Sequence, residues 1–221
     1  MRSFKTAAVV LGLALLAGSV ASADKPETIK LFNGKDLAGW THFLTEADAK
    51  LEDVWSVKDG VIVCKGTPGG YLATKDMYES FILVVEWRWP AKPGNSGVLM
   101  RITGDPKMLP NCCEAQLKSG DAGAMYGFQG FKLAGDKSRL FANPNAVGGL
   151  TGLRKAAANE KEAGEWNKFE ITAKGDTVTI ILNGKEVNKA TGVDVRAGQI
   201  GLQSEGGEIH FRTVTITPLK K

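Results

Sequence analysis

Histidine is the scarcest of the chemically useful residues here: only His42 and His210 occur in 221 residues. That excludes a multi-histidine metal centre and gives a serine–histidine triad little support. The spacings H-E-x-x-H and G-x-S-x-G are missing, as are the P-loop and a G-x-G-x-x-G between strand and helix. Cysteine is nearly as sparse, with Cys64, Cys112 and Cys113 alone. An odd count leaves at least one thiol unpaired in a monomer. Cys64 bridged to one of the adjacent pair, a vicinal disulfide, and three buried thiols packed as small apolar groups all remain open. An excess of either charge is also lacking, with 28 Lys+Arg against 24 Asp+Glu. No basic run offers a nucleic-acid surface.

Long hydrophobic runs are absent beyond the N-terminus. There, Arg2 and Lys5 precede an apolar stretch over 7–16, and Ala21-Ser22-Ala23 presents small residues at a cleavage position. This is the pattern of a secretory signal peptide. The apolar stretch is short for a membrane span, and the leader has no lipidation cysteine. The expectation is a signal peptide over 1–23 and an exported mature chain over 24–221, periplasmic or secreted, with no membrane partner after cleavage. Losing Arg2 and Lys5 lowers the formal charge from +4 to +2.

What is present is an alternation of turn signals and short β-branched or aromatic runs. Asn33-Gly34, Asp59-Gly60, Gly104-Asp105-Pro106 and Asn183-Gly184 punctuate runs over 55–64, 81–89, 97–103, 113–118, 167–174, 177–182, 199–203 and 209–218. The Asn183-Gly184 pair between 177–182 and 185–188 suits a type I′ hairpin turn. Only 46–51 and 153–163 read as short helices. The pattern predicts one all-β domain, a two-sheet antiparallel sandwich or barrel.

Period-two alternation assigns faces. Phe81, Leu83, Val85, Trp87 and Trp89 share a core face, and Glu86 and Arg88 lie on the other. Val98, Met100 and Ile102 are expected inside, with Leu99 and Arg101 outside. Cys113, Ala115 and Leu117 point in, while Cys112, Glu114, Gln116 and Lys118 point out. Ile200 and Leu202 point in, while Gln203 and Glu205 point out. The outward set is either a solvated sheet face or a ligand cleft. Its planar, fork-shaped groups suit bidentate hydrogen bonds to a polyhydroxylated ligand. Glycine-rich loops at 94–97 and 120–130 would let that ligand approach the backbone closely. Trp40 and Trp166 read as core or as sugar-stacking platforms, and His210 as structural.

The stretches LFNGKDLAGW (31–40), WSVKDGVIVCKG (55–66), FILVVEWRWP (81–90), GNSGVLMR (94–101), CEAQL (113–117), LNGKEV (182–187) and IGLQSEGGEIHFR (200–212) resemble the 3-keto-disaccharide hydrolase domain family, in family order. The resemblance implies a concanavalin A-like jelly-roll sandwich acting on a saccharide already oxidised to a ketone at carbon 3. Such a ketone acidifies the proton on carbon 2, so the chemistry needs a base, donors for the enolate and an acid near the leaving oxygen. Glu205, Glu114 and Glu86 are the candidate base and acid. Arg88, Arg101 and Lys118 are the candidate oxyanion holders, and Asn95, Ser96, Gln116 and Gln203 complete the expected substrate-binding set. Glu205 occupies the place where some family members carry a histidine. Glu205 with Glu114 could instead hold a divalent cation. The alternative function is a non-catalytic, lectin-like carbohydrate-binding module.

Overall fold

Strand-length runs broken by turn residues build two antiparallel sheets in the computed structural model, which describes residues 26–146 and 148–220. The expected signal segment 1–23 lies outside the described residues. In chain order the strands begin with β1 (Ile29–Lys30), β2 (Trp40–Leu44), β3 (Trp55–Lys58), β4 (Val61–Cys64), β5 (Gly70–Thr74) and β6 (Phe81–Arg88). They continue with β7 (Gly97–Thr103), β8 (Asn111–Gln116), β9 (Met125–Phe128), β10 (Leu140–Asn143) and β11 (Leu150–Leu153). The last five are β12 (Asn167–Lys174), β13 (Thr177–Leu182), β14 (Lys185–Ala190), β15 (Gln199–Ser204) and β16 (Ile209–Pro218). A single helical turn, α1 (Leu51–Val54), precedes β3.

One sheet runs β14-β13-β12-β6-β16-β4-β3, with β1 pairing β16. The other runs β10-β11-β9-β8-β7-β15-β5-β2. The inner faces meet in one apolar core. Phe81, Leu83, Val85 and Trp87 of β6 enter it from one sheet; Val98, Met100, Cys113, Ala115, Ile200 and Leu202 enter from the other. Trp87 packs edge-on against Trp89 and Phe169, with ring centroids 6.1 Å away in each case. Each such ring removes a large apolar area from water, which is the main driving force for closing the sandwich. Trp40 is also core, its Nε1 donating to Leu31 O at 2.8 Å. All three cysteines are free and buried, so the unbridged alternative holds.

The expected helix over 153–163 does not form. Leu153 ends β11, and the following segment spends its hydrogen bonds elsewhere. Ala156 N donates to Val187 O, and Asn159 Nδ2 donates to Leu182 O.

The alternation expected in β7 breaks after Met100. The pairing register shifts there, and Arg101 takes a positive φ of 56°. Gly198 lies so close to the Arg101 backbone that a Cβ would collide with it. Beyond this bulge Ile102 emerges on the outer face with Leu99. Arg101 is turned into the end of the sandwich, 1% exposed. Its guanidinium donates to the carbonyls of Glu79, Asp194 and Gly175 at 2.6–2.9 Å.

Candidate functional site

The outer face of the second sheet is laid out by its register. Gln116 pairs with Gly97, Gly97 stands beside Gln203, and Gln203 pairs with Tyr71, which pairs with Phe43. The next row holds Tyr126, Glu114, Leu99 and Gly201. Directly paired residues in an antiparallel ladder point to the same side. Tyr126, Glu114, Gln116, Gln203 and Tyr71 therefore share one surface.

Gly97 is the gap in this surface. A Cβ there would collide with Glu114 Oε1, so only glycine lets the Glu114 carboxyl lie across β7 toward Gln203. Glu114 is 1% exposed and Gln203 is fully buried. Glu114 Oε1, both amide atoms of Gln203 and Asn95 Oδ1 are buried without a hydrogen-bond partner. A buried polar group left unpaired costs about 1–3 kcal/mol. Such groups on β8, on β15 and in the loop before β7 make this face the candidate ligand site.

The electrostatics separate the two carboxylates. Burial pushes the Glu114 carboxyl well above the usual range, and the charges of Glu205 and Asp121 push it further. Glu205 is raised by its own burial but opposed by the Lys118 ammonium. Glu114 is thus the neutral acid of the pair, and Glu205 the one that ionises first. Tyr126 donates to Asp121 Oδ2 at 2.9 Å, and burial raises its hydroxyl strongly.

Backbone bonds hold the rim together. Asn95 N donates to Gly206 O at 2.8 Å, and Ser96 Oγ donates to Gln203 O at 2.7 Å. Gln116 Oε1 accepts from Lys118 N at 2.7 Å. Of the residues expected to form a site, Glu114, Glu205, Gln203, Asn95, Ser96, Gln116 and Lys118 are brought together. Ser96 and Gln116 are there as supports, their side-chain oxygens being engaged by the backbone.

Glu86 and Arg88 do not join them. They lie on β6, on the outer face of the opposite sheet. Glu86 accepts from Arg212 at 2.8 Å and from Thr213, which holds its carboxyl below the usual range. Arg88 reaches His210 at 3.4 Å and covers Trp166 at 4.7 Å, with Arg212 at 4.5 Å from the same ring. Arg101 is a structural residue at the sandwich end, as its carbonyl contacts show. Among the described residues no group of three or more histidine, cysteine or acidic side chains converges in a way that would hold a metal ion.

The sequence reading missed the aromatics of this face. Tyr126 and Phe141 belong to β9 and β10, short strands interrupted by Gly127 and flanking Gly152. Tyr126 lies in the aromatic and glycine-rich run M-Y-G-F-Q-G-F (125–131), which was a usable signal, whereas Phe141 stands alone in R-L-F-A-N.

Residues 27–217 match the family model of the 3-keto-alpha-glucoside-1,2-lyase-like domain. No curated protein matches the sequence. Solved structures of this architecture include a protein of Parabacteroides distasonis ATCC 8503, provisionally described as a glycosyl hydrolase. It is 25% identical with a TM-score of 0.63, over 87% of this chain and 100% of that one. The carbohydrate-binding module CBM66 of Bacillus subtilis is 16% identical, with a TM-score of 0.59 over 81% and 95% of the two chains. A Bacillus licheniformis β-glucanase is 12% identical, with a TM-score of 0.57 over 90% and 100%. The two Bacillus structures, at such identities, speak for the jelly-roll fold alone.

Proposed function

The chain belongs to the 3-keto-alpha-glucoside-1,2-lyase-like family, and from that premise we propose that it cleaves glycosides carrying a ketone at carbon 3. The observation that supports this reading is the pair of neighbouring carboxyls, one neutral and sunken, one more accessible and ionisable, beside the unpartnered amide of Gln203. Conventional proton transfer at neutral pH needs such a division between acid and base.

In this mechanism the Glu205 carboxylate takes the proton from carbon 2. The electron pair moves into the carbon 2–carbon 3 bond and places negative charge on the former ketone oxygen. Gln203 Nε2 and the Lys118 ammonium face that charge and stabilise it. The enolate then re-forms the ketone, a carbon 1–carbon 2 double bond forms, and the carbon 1–oxygen bond breaks. The departing oxygen receives the Glu114 proton. The Glu205 proton and the Glu114 charge re-equilibrate through solvent, and water adding to carbon 1 converts the lyase product into the hydrolysis product.

The second reading, a carbohydrate-binding module, draws on the same unpartnered polar groups and on the CBM66-like fold. One assay separates the two. A 3-keto-glucoside with a chromogenic leaving group is cleaved while the parent glucoside is not. Sugar binding without release of either would favour the module. The leader-like segment 1–23 supports export of the mature domain, which N-terminal sequencing of extracellular or periplasmic protein would test.

A further inference from the structure

The row that carries Glu114 continues past Tyr126. Tyr126 pairs with Gly152, and Gly152 pairs with Phe141. A Cβ at Gly152 would collide with the Phe141 ring, so the glycine lets that ring lean over β11 toward Tyr126. The two ring centroids are 6.1 Å apart at 80°. The exposed Arg154 places its guanidinium 4.6 Å from the Phe141 centroid. No carboxylate pairs with Arg154 among the described residues. A guanidinium held over a ring, with its forked donors unspent, is prepared to bind a pair of neighbouring oxygens.

The opposite side of Glu114 is closed. Tyr71 is 4% exposed, and Leu109 from the 104–110 segment packs on its cluster. Met108 of the same segment rests on Gly69. From Glu114 and Gln203 the face becomes more accessible across β9–β11, where Tyr126 and Phe141 are half-buried and Arg154 is exposed. One strand spacing, about 4.8 Å, is roughly the width of a sugar ring. The Asp121 carboxylate, 2.9 Å from the Tyr126 hydroxyl, together with Glu205, disfavours an anionic group on this path.

We propose that Arg154, seated on Phe141 beside Tyr126, is the residue that holds the leaving sugar of a 3-keto-disaccharide, through two of its adjacent hydroxyls. This rests on the reading of Glu114 and Glu205 as the reacting site.

The test uses the full chain and its Arg154→Ala and Arg154→Lys variants, with thermal unfolding confirming that each is folded. Their kcat/KM is compared on a 3-keto-disaccharide and on methyl 3-keto-glucoside. Arg154→Ala should lose at least about tenfold on the disaccharide, the scale of one charge-assisted hydrogen bond. It should stay within about twofold on the methyl glycoside. Arg154→Lys should recover little, because it lacks the fork. Equal losses on both substrates, or none on either, would overturn the proposal. Should the unsubstituted chain cleave neither, the reading of the reacting site fails on its own. Titration with the unoxidised disaccharide then decides the subsite. Binding weakened about tenfold by Arg154→Ala sustains it, and equal or absent binding overturns it.

Discussion

Replacing Glu114 by glutamine should flatten the fall in stability as pH rises above about 5. The folded-state carboxyl sits well above its ordinary value, chiefly through burial. A raised carboxyl binds its proton more tightly in the folded chain than in the unfolded one. Its contribution is therefore fully present below the unfolded value near 4.5 and is lost as pH rises through the folded value. Between those limits the loss is about 1.4 kcal/mol for each pH unit. Even one such unit is a sizeable part of the stability of an ordinary domain. Glu205 and Glu160 are also raised by burial and act in the same direction. The difference between the parent chain and Glu114→Gln isolates the one group. Urea unfolding at half-unit pH steps measures it. The variant should gain on the parent steadily as pH rises above 5. Parallel curves for the two proteins would refute the claim that Glu114 is held neutral in the fold.

Gly97→Ala should displace the Glu114 carboxyl, since the new methyl overlaps its Oε1. Keto-glycoside cleavage should fall at least tenfold, and the thermal midpoint should fall too, because the new methyl also overlaps Cδ and Cγ of the buried Glu114 side chain. Arg101→Met should destabilise by about 3 kcal/mol or more, leaving the carbonyls of Glu79, Asp194 and Gly175 without their donor; denaturant titration reads this. Glu86→Ala should leave cleavage unchanged and lower stability by about 1 kcal/mol, since its partner Arg212 is exposed; a loss of activity would place the reaction on the other sheet.

Much of the site was legible because period-two alternation is a local property. In β8 and β15 it sorted Cys113, Ala115, Ile200 and Leu202 inward, and Glu114, Gln116 and Gln203 outward, as the packing shows. Alternation does not reveal which strands share a sheet. Glu86 and Arg88 have the right residue types and the right face of their strand, yet β6 pairs with β12 and β16, not with β7. Nor does alternation survive a bulge. The left-handed conformation at Arg101 reverses the facing of β7 beyond Met100, and nothing in G-V-L-M-R-I-T announces it. The aromatic extension of the site was hidden for a third reason. Gly127 and Gly152 weaken the strand pattern of β9 and β11, although glycine is what those close approaches require.

The central claim is that cleavage begins with loss of the proton on carbon 2 to Glu205. The most direct measurement is the rate of leaving-group release from a 3-keto-glucoside bearing deuterium at carbon 2, compared with its protium form. Release should be slowed severalfold by deuterium and abolished in Glu205→Gln, with the unoxidised glucoside inert. Equal rates for the two isotopic substrates, with full activity in Glu205→Gln, would contradict it.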